Sequence, residues 1–340
     1  MSATISDVAK LAGVSPATVS KFLNHKPVSP KSYQLIEDAI RELNYQVNDF
    51  ARGLRTNTSQ MIGILVPGMD NIFTTSLFRE TEKRLNDYNY SLVLCNYNND
   101  AVLFHEKITF MRKRMVDGVI VLYGGQTTEL IYRSLRELQE AKIPFVLVNG
   151  WVEGIETDTV LADNEKAMRD CVSLLLEAGH RKIGMIIAPK NSYNVHERKA
   201  GFYKAYEEAG LPANEELIFE FGADKNWAYE VKEKTLEFIK DHPEMTALVL
   251  PGYRLTIAGI AAIHQLGRKI GKDIALIGYD CDVINAALNP TITYIRLPVD
   301  EIAVHAIEML IEAINSKEKK PPRIIRVSAQ QVDGESIYCL

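Results

Sequence analysis

The 340-residue chain has only four cysteines, Cys95, Cys171, Cys281 and Cys339. They lie far apart with no CxxC spacing, which argues against a disulfide framework or a thiolate metal site and predicts reduced thiols. No run of 18 apolar residues occurs, so no membrane-spanning helix is expected, and the first 30 residues carry no apolar signal core. Catalytic signatures are missing too. No GxGxxG follows a strand pattern, and GxxxxGK[ST], HExxH and GxSxG do not occur; "GRKIGKD" matches a phosphate loop only superficially. His105, His180, His196, His242 and His264 show no ligand spacing and are expected at surfaces or helix ends. No metal, no cofactor and no enzymatic activity are therefore expected. Net charge is -5, so the chain is not basic throughout and has room for only a small nucleic-acid module on an acidic body.

Apolar residues make up 46% of the chain, enough for two or three compact units. The opening stretch "ISDVAKLAGVSPATVSKFLN" (5–24) holds two short helical patterns. Ile5, Val8, Ala9 and Ala12 share one helix face, with Asp7 near its positive end. Gly13 follows, where a left-handed cap needs no Cβ. Ser15 is then an N-cap and Pro16 takes the first helical position. The second helix buries Val19, Phe22 and Leu23, leaving Pro16, Ala17, Thr18, Ser20 and Lys21 outward. A third follows Ser29-Pro30 with the stripe Leu35, Ile36, Ala39, Ile40 and Leu43. A tight turn with small outward side chains suits a major groove about 12 Å wide. Periodicity alone, however, fits any three-helix subdomain.

The residues carry more. "TISDVAKLAGVSPATVSKFLN" resembles the N-terminal signature of the lactose-repressor (LacI) family of bacterial transcription regulators, with Ala9, Gly13 and Val19 at the helix-turn-helix spacing. The resemblance implies that Ser15 to Lys21 form the recognition helix. Pro16, Ala17 and Lys21 then stand where base edges are read; Thr18, Ser20 and Asn24 stand where phosphates are held. Thr4, Ser15 and Tyr45 join the implied DNA-contacting set. Lys21 stands where many members have Arg, which exchanges a bidentate fork for a point donor.

Residues 48–55 place Ala51 and Leu54 on one face flanked by Arg52 and Arg55, with Asn48 as N-cap candidate. Gly53 costs about 1 kcal/mol in a helix, and eight residues are too few for one to persist alone. An ordinary linker fits this composition as well. The resemblance implies the family's hinge helix, with Asn48, Ala51, Arg52, Leu54 and Arg55 at the minor groove. Leu54 would be the wedge at a central CG, CA/TG or TA step. Residues 1–60 carry seven Lys/Arg against five Asp/Glu, a charge of +2, which leaves -7 for the rest. One copy is a weak DNA binder, whereas two on a palindrome neutralise more phosphates.

From Met61 short apolar runs alternate with helical patterns (73–88, 103–115, 166–178 and 200–209). The runs are "MIGILVP", "YSLVLCN", "GVIVLYG", "PFVLVNG", "KIGMIIAP", "ALVLPG" and "DIALIGYD". Such alternation predicts parallel sheets buried on both faces. Nine or more strands point to two doubly wound units with a cleft at their strand ends. "IGILVP", "DNIF", "VLADNEKA", "LLLEAGHRKIG", "ERKAGF" and "NPTITYIRLP" continue the resemblance.

It implies a headpiece (1–46), a hinge and linker (47–60), and an effector core (61–340) like periplasmic sugar-binding proteins. The core would have an N-subdomain of 61–161 and 292–320 and a C-subdomain of 162–291 and 321–340. Carried over singly, Phe73, Asn149, Arg198 and Asp280 would line the effector cleft, with Ser192 and Asn194 on a neighbouring loop. Arg254 stands where the family commonly has N-D or N-G, and would add a second guanidinium beside Arg198. Two arginines suit an anionic ligand through bidentate bonds; Arg254 turned to solvent, or paired with an acid such as Asp280, is the alternative. Trp151 and Trp227 are candidate stacking platforms or plain core and surface residues. The implied partners are operator DNA, a sugar, sugar acid or sugar phosphate, and a second copy, a dimer being expected without a leucine heptad tail. The implied role is a cytoplasmic regulator, most commonly a repressor, of carbohydrate genes. A catabolite-control-type regulator answering to a phosphocarrier protein is the alternative.

Overall fold

The computed structural model describes residues 3–23, 26–45, 58–125, 127–188, 192–222, 227–316, 318 and 320–340. The chain divides into two compact units, Met1–Ser59 and Gln60–Leu340.

The first unit holds helices α1 (Ile5–Leu11), α2 (Pro16–Leu23) and α3 (Pro30–Glu42). Its core is small: Val8, Ala9, Ala12, Val19, Ile36 and Ala39, edged by Ile5, Val14, Phe22, Leu23, Ile40, Leu43 and Tyr45. So few apolar groups leave the helix ends with much of the work. Thr4 and Asp7 close a reciprocal capping box at α1, with Asp7 Oδ2 accepting from the Thr4 N–H at 2.8 Å. Those bonds from Thr4 hold the Asp7 carboxyl below its usual range. Gly13 turns at φ +63°, and the Val14 N–H reaches Ala9 O at 3.0 Å. Ser15 Oγ then caps α2 by accepting from Thr18 N, and Ser29 Oγ caps α3 through Ser32 N. Leu35 departs from the expected stripe at 42% exposure. Ile36, Ala39, Ile40 and Leu43 already fill the buried face at i, i+3, i+4 and i+7, and Leu35 lies one residue off it.

The second unit contains two six-stranded sheets. In the first the order is β11 (Ile324–Val327), β5 (Asp158–Ala162), β4 (Phe145–Val148), β3 (Gly118–Leu122), β1 (Met61–Val66) and β2 (Ser91–Asn96), all parallel. In the second it is β12 (Gln330–Val332), β10 (Thr293–Arg296), β9 (Ala275–Tyr279), β8 (Ala247–Val249), β6 (Ile183–Ile187) and β7 (Ile218–Glu220). Only β12 runs antiparallel, against β10. Alternation along each strand supplies two cores. Ile62, Ile64, Ile120 and Val146 enter one cluster, while Leu65, Val119, Val121 and Leu147 enter another.

Helices α4 (Ile72–Leu85), α5 (Ala101–Lys113), α6 (Glu129–Glu140), α7 (Asn164–Glu177) and α8 (Tyr193–Glu208) follow strands β1, β2, β3, β5 and β6 in turn. Helices α9 (Trp227–Asp241), α10 (Tyr253–Gln265), α11 (Asp282–Asn285) and α12 (Val299–Asn315) complete the unit. α7 and α8 cross closely because Gly201 has no side chain; a Cβ there would meet Glu165 O at 2.2 Å. α8 also begins well before the expected 200–209 pattern. Its first turns carry Asn194, His196, Glu197 and Arg198, which break the apolar period.

The chain passes between the sheets three times, and two of those passages differ from expectation. β10 pairs with β9, so the second sheet extends past 292 to Arg296. β11 pairs with β5, so the first sheet takes residues beyond 320. Between them α12 lies against β3, β4 and β5. The boundaries therefore fall near 297 and 328 rather than at 292 and 321. Apolar runs announce a strand, but hydrogen bonds across the sheet decide which sheet receives it.

His180 stands at a helix end as expected, just past α7 with its N–H on Leu175 O at 3.0 Å, but it is fully buried and not at the surface. Its Nδ1 lies 3.0 Å from Thr246 Oγ1 and its Nε2 2.9 Å from Tyr338 O, because the C-terminal segment folds over it. Cys95, Cys171 and Cys281 are buried free thiols, and Cys339 is an exposed one. Among the described residues no helix is long and apolar enough to cross a membrane, and no His/Cys/Asp/Glu group is placed to hold a metal.

Candidate functional site

In the first unit, α2 presents Pro16, Ala17 and Lys21 to solvent, with Ser15 exposed at its start. Thr18 and Ser20 are half-buried. Ser15 Oγ lies 2.9 Å from Thr18 Oγ1, so both hydroxyls take part in forming the helix start. The outward row offers one cation and two groups without side-chain donors, which suits close van der Waals approach to a groove with a single charged reach. Thr4 is exposed within its capping box. Tyr45 is half-buried against the core, so its ring serves the packing of the unit. Asn24, Asn48, Ala51, Arg52, Leu54 and Arg55 lie outside the described residues.

In the second unit the strand ends of the two sheets face one another. The Asn194 amide, on α8 after β6, donates to Asn149 O, after β4, at 2.9 Å. A Cβ on Gly124, in the loop after β3, would lie 3.6 Å from the same Asn194 nitrogen. Between these strand ends runs a chain of buried polar groups. Arg198, 8% exposed, donates from Nε to Asn164 Oδ1 at 2.9 Å and from Nη1 to Pro251 O at 2.8 Å. Asn164 Nδ2 in turn donates to Asn194 Oδ1 and to Ala162 O, both at 3.2 Å. The Arg198 guanidinium stands 5.2 Å from the Tyr279 ring centroid. Burial draws its pKa downward, opposed by Tyr279, Asp280 and Glu197.

Asn149 and Asp280 close their strands in left-handed conformations, at φ +55° and +52°. Such residues turn the chain sharply, and Asn and Asp tolerate that geometry best among side chains with a Cβ. Among the described residues Asn149 Oδ1 is buried without a hydrogen-bond donor. Asp280 Oδ1 accepts from Leu297 N at 3.0 Å, where the chain leaves the second sheet for α12. Burial pushes the Asp280 carboxyl up to about 6, opposed by that bond and by Arg198.

Of the expected cleft residues, Asn149, Asn194, Arg198 and Asp280 come together in this way. Ser192 is 1% exposed and caps α8 by accepting from Val195 N. Phe73, at 5% exposure, belongs to the apolar core, and its N–H is held by Asn71 Oδ1 at 3.0 Å. Arg254 pairs with an acid, the alternative to a second guanidinium beside Arg198, but the acid is Asp70, on the loop after β1, rather than Asp280. Trp151 is half-buried.

Asn164 and Asp70 escaped the sequence reading. Asn164 opens a helix directly after Asp163, and an Asn there reads as a capping residue. Asp70, within "GMDNIF", reads as an ordinary turn residue. Neither position shows its partner without the fold.

Residues 4–48 match the model of bacterial regulatory proteins of the lacI family, and residues 172–337 match that of the periplasmic binding protein-like domain. The HTH-type transcriptional repressor PurR of Aliivibrio salmonicida (strain LFI1238) is 31% identical over 339 residues, 99% of this chain and 100% of that protein. The ribose operon repressor of Halalkalibacterium halodurans is 32% identical over 319 residues, 94% and 91% of the two chains. Among solved structures, the lac repressor dimer bound to operator and the anti-inducer ONPF aligns with a TM-score of 0.84 at 20% identity, over 99% and 100% of the two chains. With a three-helix reader, two facing sheets and relatives matched from end to end, the chain belongs to the lacI family of bacterial regulatory proteins.

Proposed function

We propose that this regulator represses genes of carbohydrate uptake or metabolism, binding a palindromic operator as a homodimer and changing its operator affinity when an uncharged, hydroxyl-rich effector occupies the cleft. The observation that carries the effector class is the buried polar floor from Arg198 through Asn164 and Asn194 to Asn149. Arg198 already spends two donors within the protein, and Arg254 is answered by Asp70. The acceptor left open, Asn149 Oδ1, and the Asp280 carboxyl suit donors such as sugar hydroxyls. Such an arrangement recognises a polyol better than a phosphate or carboxylate. The ribose operon repressor among its relatives points to the same ligand class.

Coupling between cleft and operator is reciprocal: the effector changes DNA affinity by the factor by which DNA changes effector affinity. Acting on genes places the protein in the cytoplasm, which suits four free thiols. Binding, rather than turnover, is the work of this site.

The test is a thermal-shift screen against neutral sugars, sugar acids, sugar phosphates and nucleobases. A ligand at about 100 times its Kd adds roughly 2.7 kcal/mol of stability. A neutral sugar should raise the melting temperature and alter the anisotropy of an operator duplex. A sugar acid or phosphate as the sole hit would overturn the uncharged class, and silence across the panel would turn attention to a phosphocarrier protein as effector.

A further inference from the structure

Among the described residues, three contacts that join the two sheets' elements differ in position. On the floor, Asn194 holds Asn149 O. On a second flank, Arg326 in β11 donates to Glu197 Oε1 at 2.6 Å and to the Tyr193 hydroxyl oxygen at 2.7 Å, both on α8. Arg326 stands two residues before the chain crosses into the second sheet, so this pair sits by a covalent connection. The third is the ion pair of Asp70 and Arg254, separated by 184 residues in sequence. Asp70 is 68% exposed and Arg254 32%, which puts this pair at the solvent rim.

The local chemistry of Arg254 explains why it needs a partner from elsewhere. It is the second residue of α10, whose cap Gly252 supplies no side-chain hydrogen bond and whose first turn has no acid. A guanidinium there adds charge to the positive end of the helix dipole. The Asp70 carboxylate offsets both, and it comes from the loop after β1 in the other sheet. The contact therefore exists only when the two strand-end faces approach.

We propose that Asp70 and Arg254 form an electrostatic latch between the two lobes, holding them in their closed arrangement. The latch positions the lobes. This inference rests on the effector reading only for its consequence: a closed, charge-neutral rim favours uncharged ligands over anions, which would compete with Asp70 for Arg254. Exposed pairs of this kind shift an equilibrium by about fivefold at most, enough to set the ligand-free balance between open and closed.

The test measures lobe separation in ligand-free, full-length protein by electron spin distance measurement. One label goes on each lobe, at Glu129→Cys and Glu230→Cys, both exposed, in a Cys339→Ser background because Cys339 is the exposed native thiol. Asp70→Asn and Arg254→Gln should each move the distribution toward longer separations. The swap Asp70→Arg/Arg254→Asp should return it toward the parent. Raising ionic strength from about 0.01 to about 1 M, which shortens the screening length from about 30 to about 3 Å, should open the parent and leave the single variants unchanged. Distributions identical in parent and single variants would overturn the latch. So would opening in the single variants that the swap does not reverse. The readout needs no effector, so a failed ligand screen and a failed latch remain separate results.

Discussion

The side-chain amide of Asn194 donates to the main-chain oxygen of Asn149 across 2.9 Å, joining an element that follows β6 in one sheet to one that follows β4 in the other. That bond lies in the middle of a polar chain reaching Arg198. It makes the proposed ligand floor and the inter-lobe contact the same structure. A ligand donor at Asn149 Oδ1 therefore acts on a residue that already reports lobe closure, which is how a small molecule gains leverage over a two-lobed body.

Arg198→Ala should abolish the effector response while the dimer persists. It leaves Asn164 Oδ1 and Pro251 O without their donors, at a cost of about 1–3 kcal/mol. The melting temperature should fall, and sedimentation should still find the dimer. Titrating the operator complex with the effector checks the response, and an unchanged dose dependence removes Arg198 from the site. Arg198→Lys should rescue only in part, since an ammonium lacks the planar fork.

Asp280 gives a pH dependence with a definite sign. Its folded-state carboxyl titrates at about 6, above the ordinary range, so the native state binds the proton more tightly than the unfolded chain. Stability from this group falls as pH rises from 4 to 6, by about 3 kcal/mol for a shift of this size. Above pH 6 the cost of the buried charge is fully present. Melting curves of the parent and Asp280→Asn between pH 4 and 7 should therefore diverge, the parent losing ground relative to the variant as pH rises. Parallel curves would contradict the burial of this carboxyl.

Gly13→Ala isolates a backbone effect in the reader. A Cβ there meets nothing within 4 Å, so packing is untouched and only the φ of +63° matters. The expected loss is about 1 kcal/mol, or roughly fivefold in the opening equilibrium of α1 and α2. Amide exchange of those helices in the full-length protein measures it. Unchanged protection would mean that the turn tolerates a side chain.

Leu54→Ala should weaken operator binding about tenfold or more, because an apolar wedge that unstacks a base step loses most of its volume. Effector affinity should stay put. Anisotropy with a labelled duplex follows the first and the thermal shift the second. Unaltered operator affinity would refute the wedge assignment, which rests on sequence.

What was legible without the fold was local. Gly13, Ser15 and Ser29 act on residues within five positions, so their roles stand in the text of the chain. Seven of the twelve strands show as apolar runs. Six of these, β1, β3, β4, β6, β8 and β9, are buried along nearly all their length, which leaves no room for polar alternation. β5, β7, β10, β11 and β12 did not stand out as runs. Arg198 and Asp280 were named from a family likeness, yet their bonds to Asn164 and Leu297 were not foreseen. The period of α8 is legible only from residue 200 because its first turns carry Asn194, His196, Glu197 and Arg198. The burial of His180 was not legible because its partners, Thr246 and Tyr338, lie 66 and 158 residues away.

The sequence by itself determined the three-helix reader, the parallel-sheet class and the family, since each rests on nearest neighbours along the chain and on periodic burial. Only the tertiary structure decided which sheet received β10 and β11, that Arg254 is answered by Asp70, and that Asn149, Asn164, Asn194 and Arg198 form one connected floor. Those outcomes depend on hydrogen bonds and charges between residues distant in sequence, and such pairings have no local signature: they exist only once the strand ends of the two sheets are brought face to face.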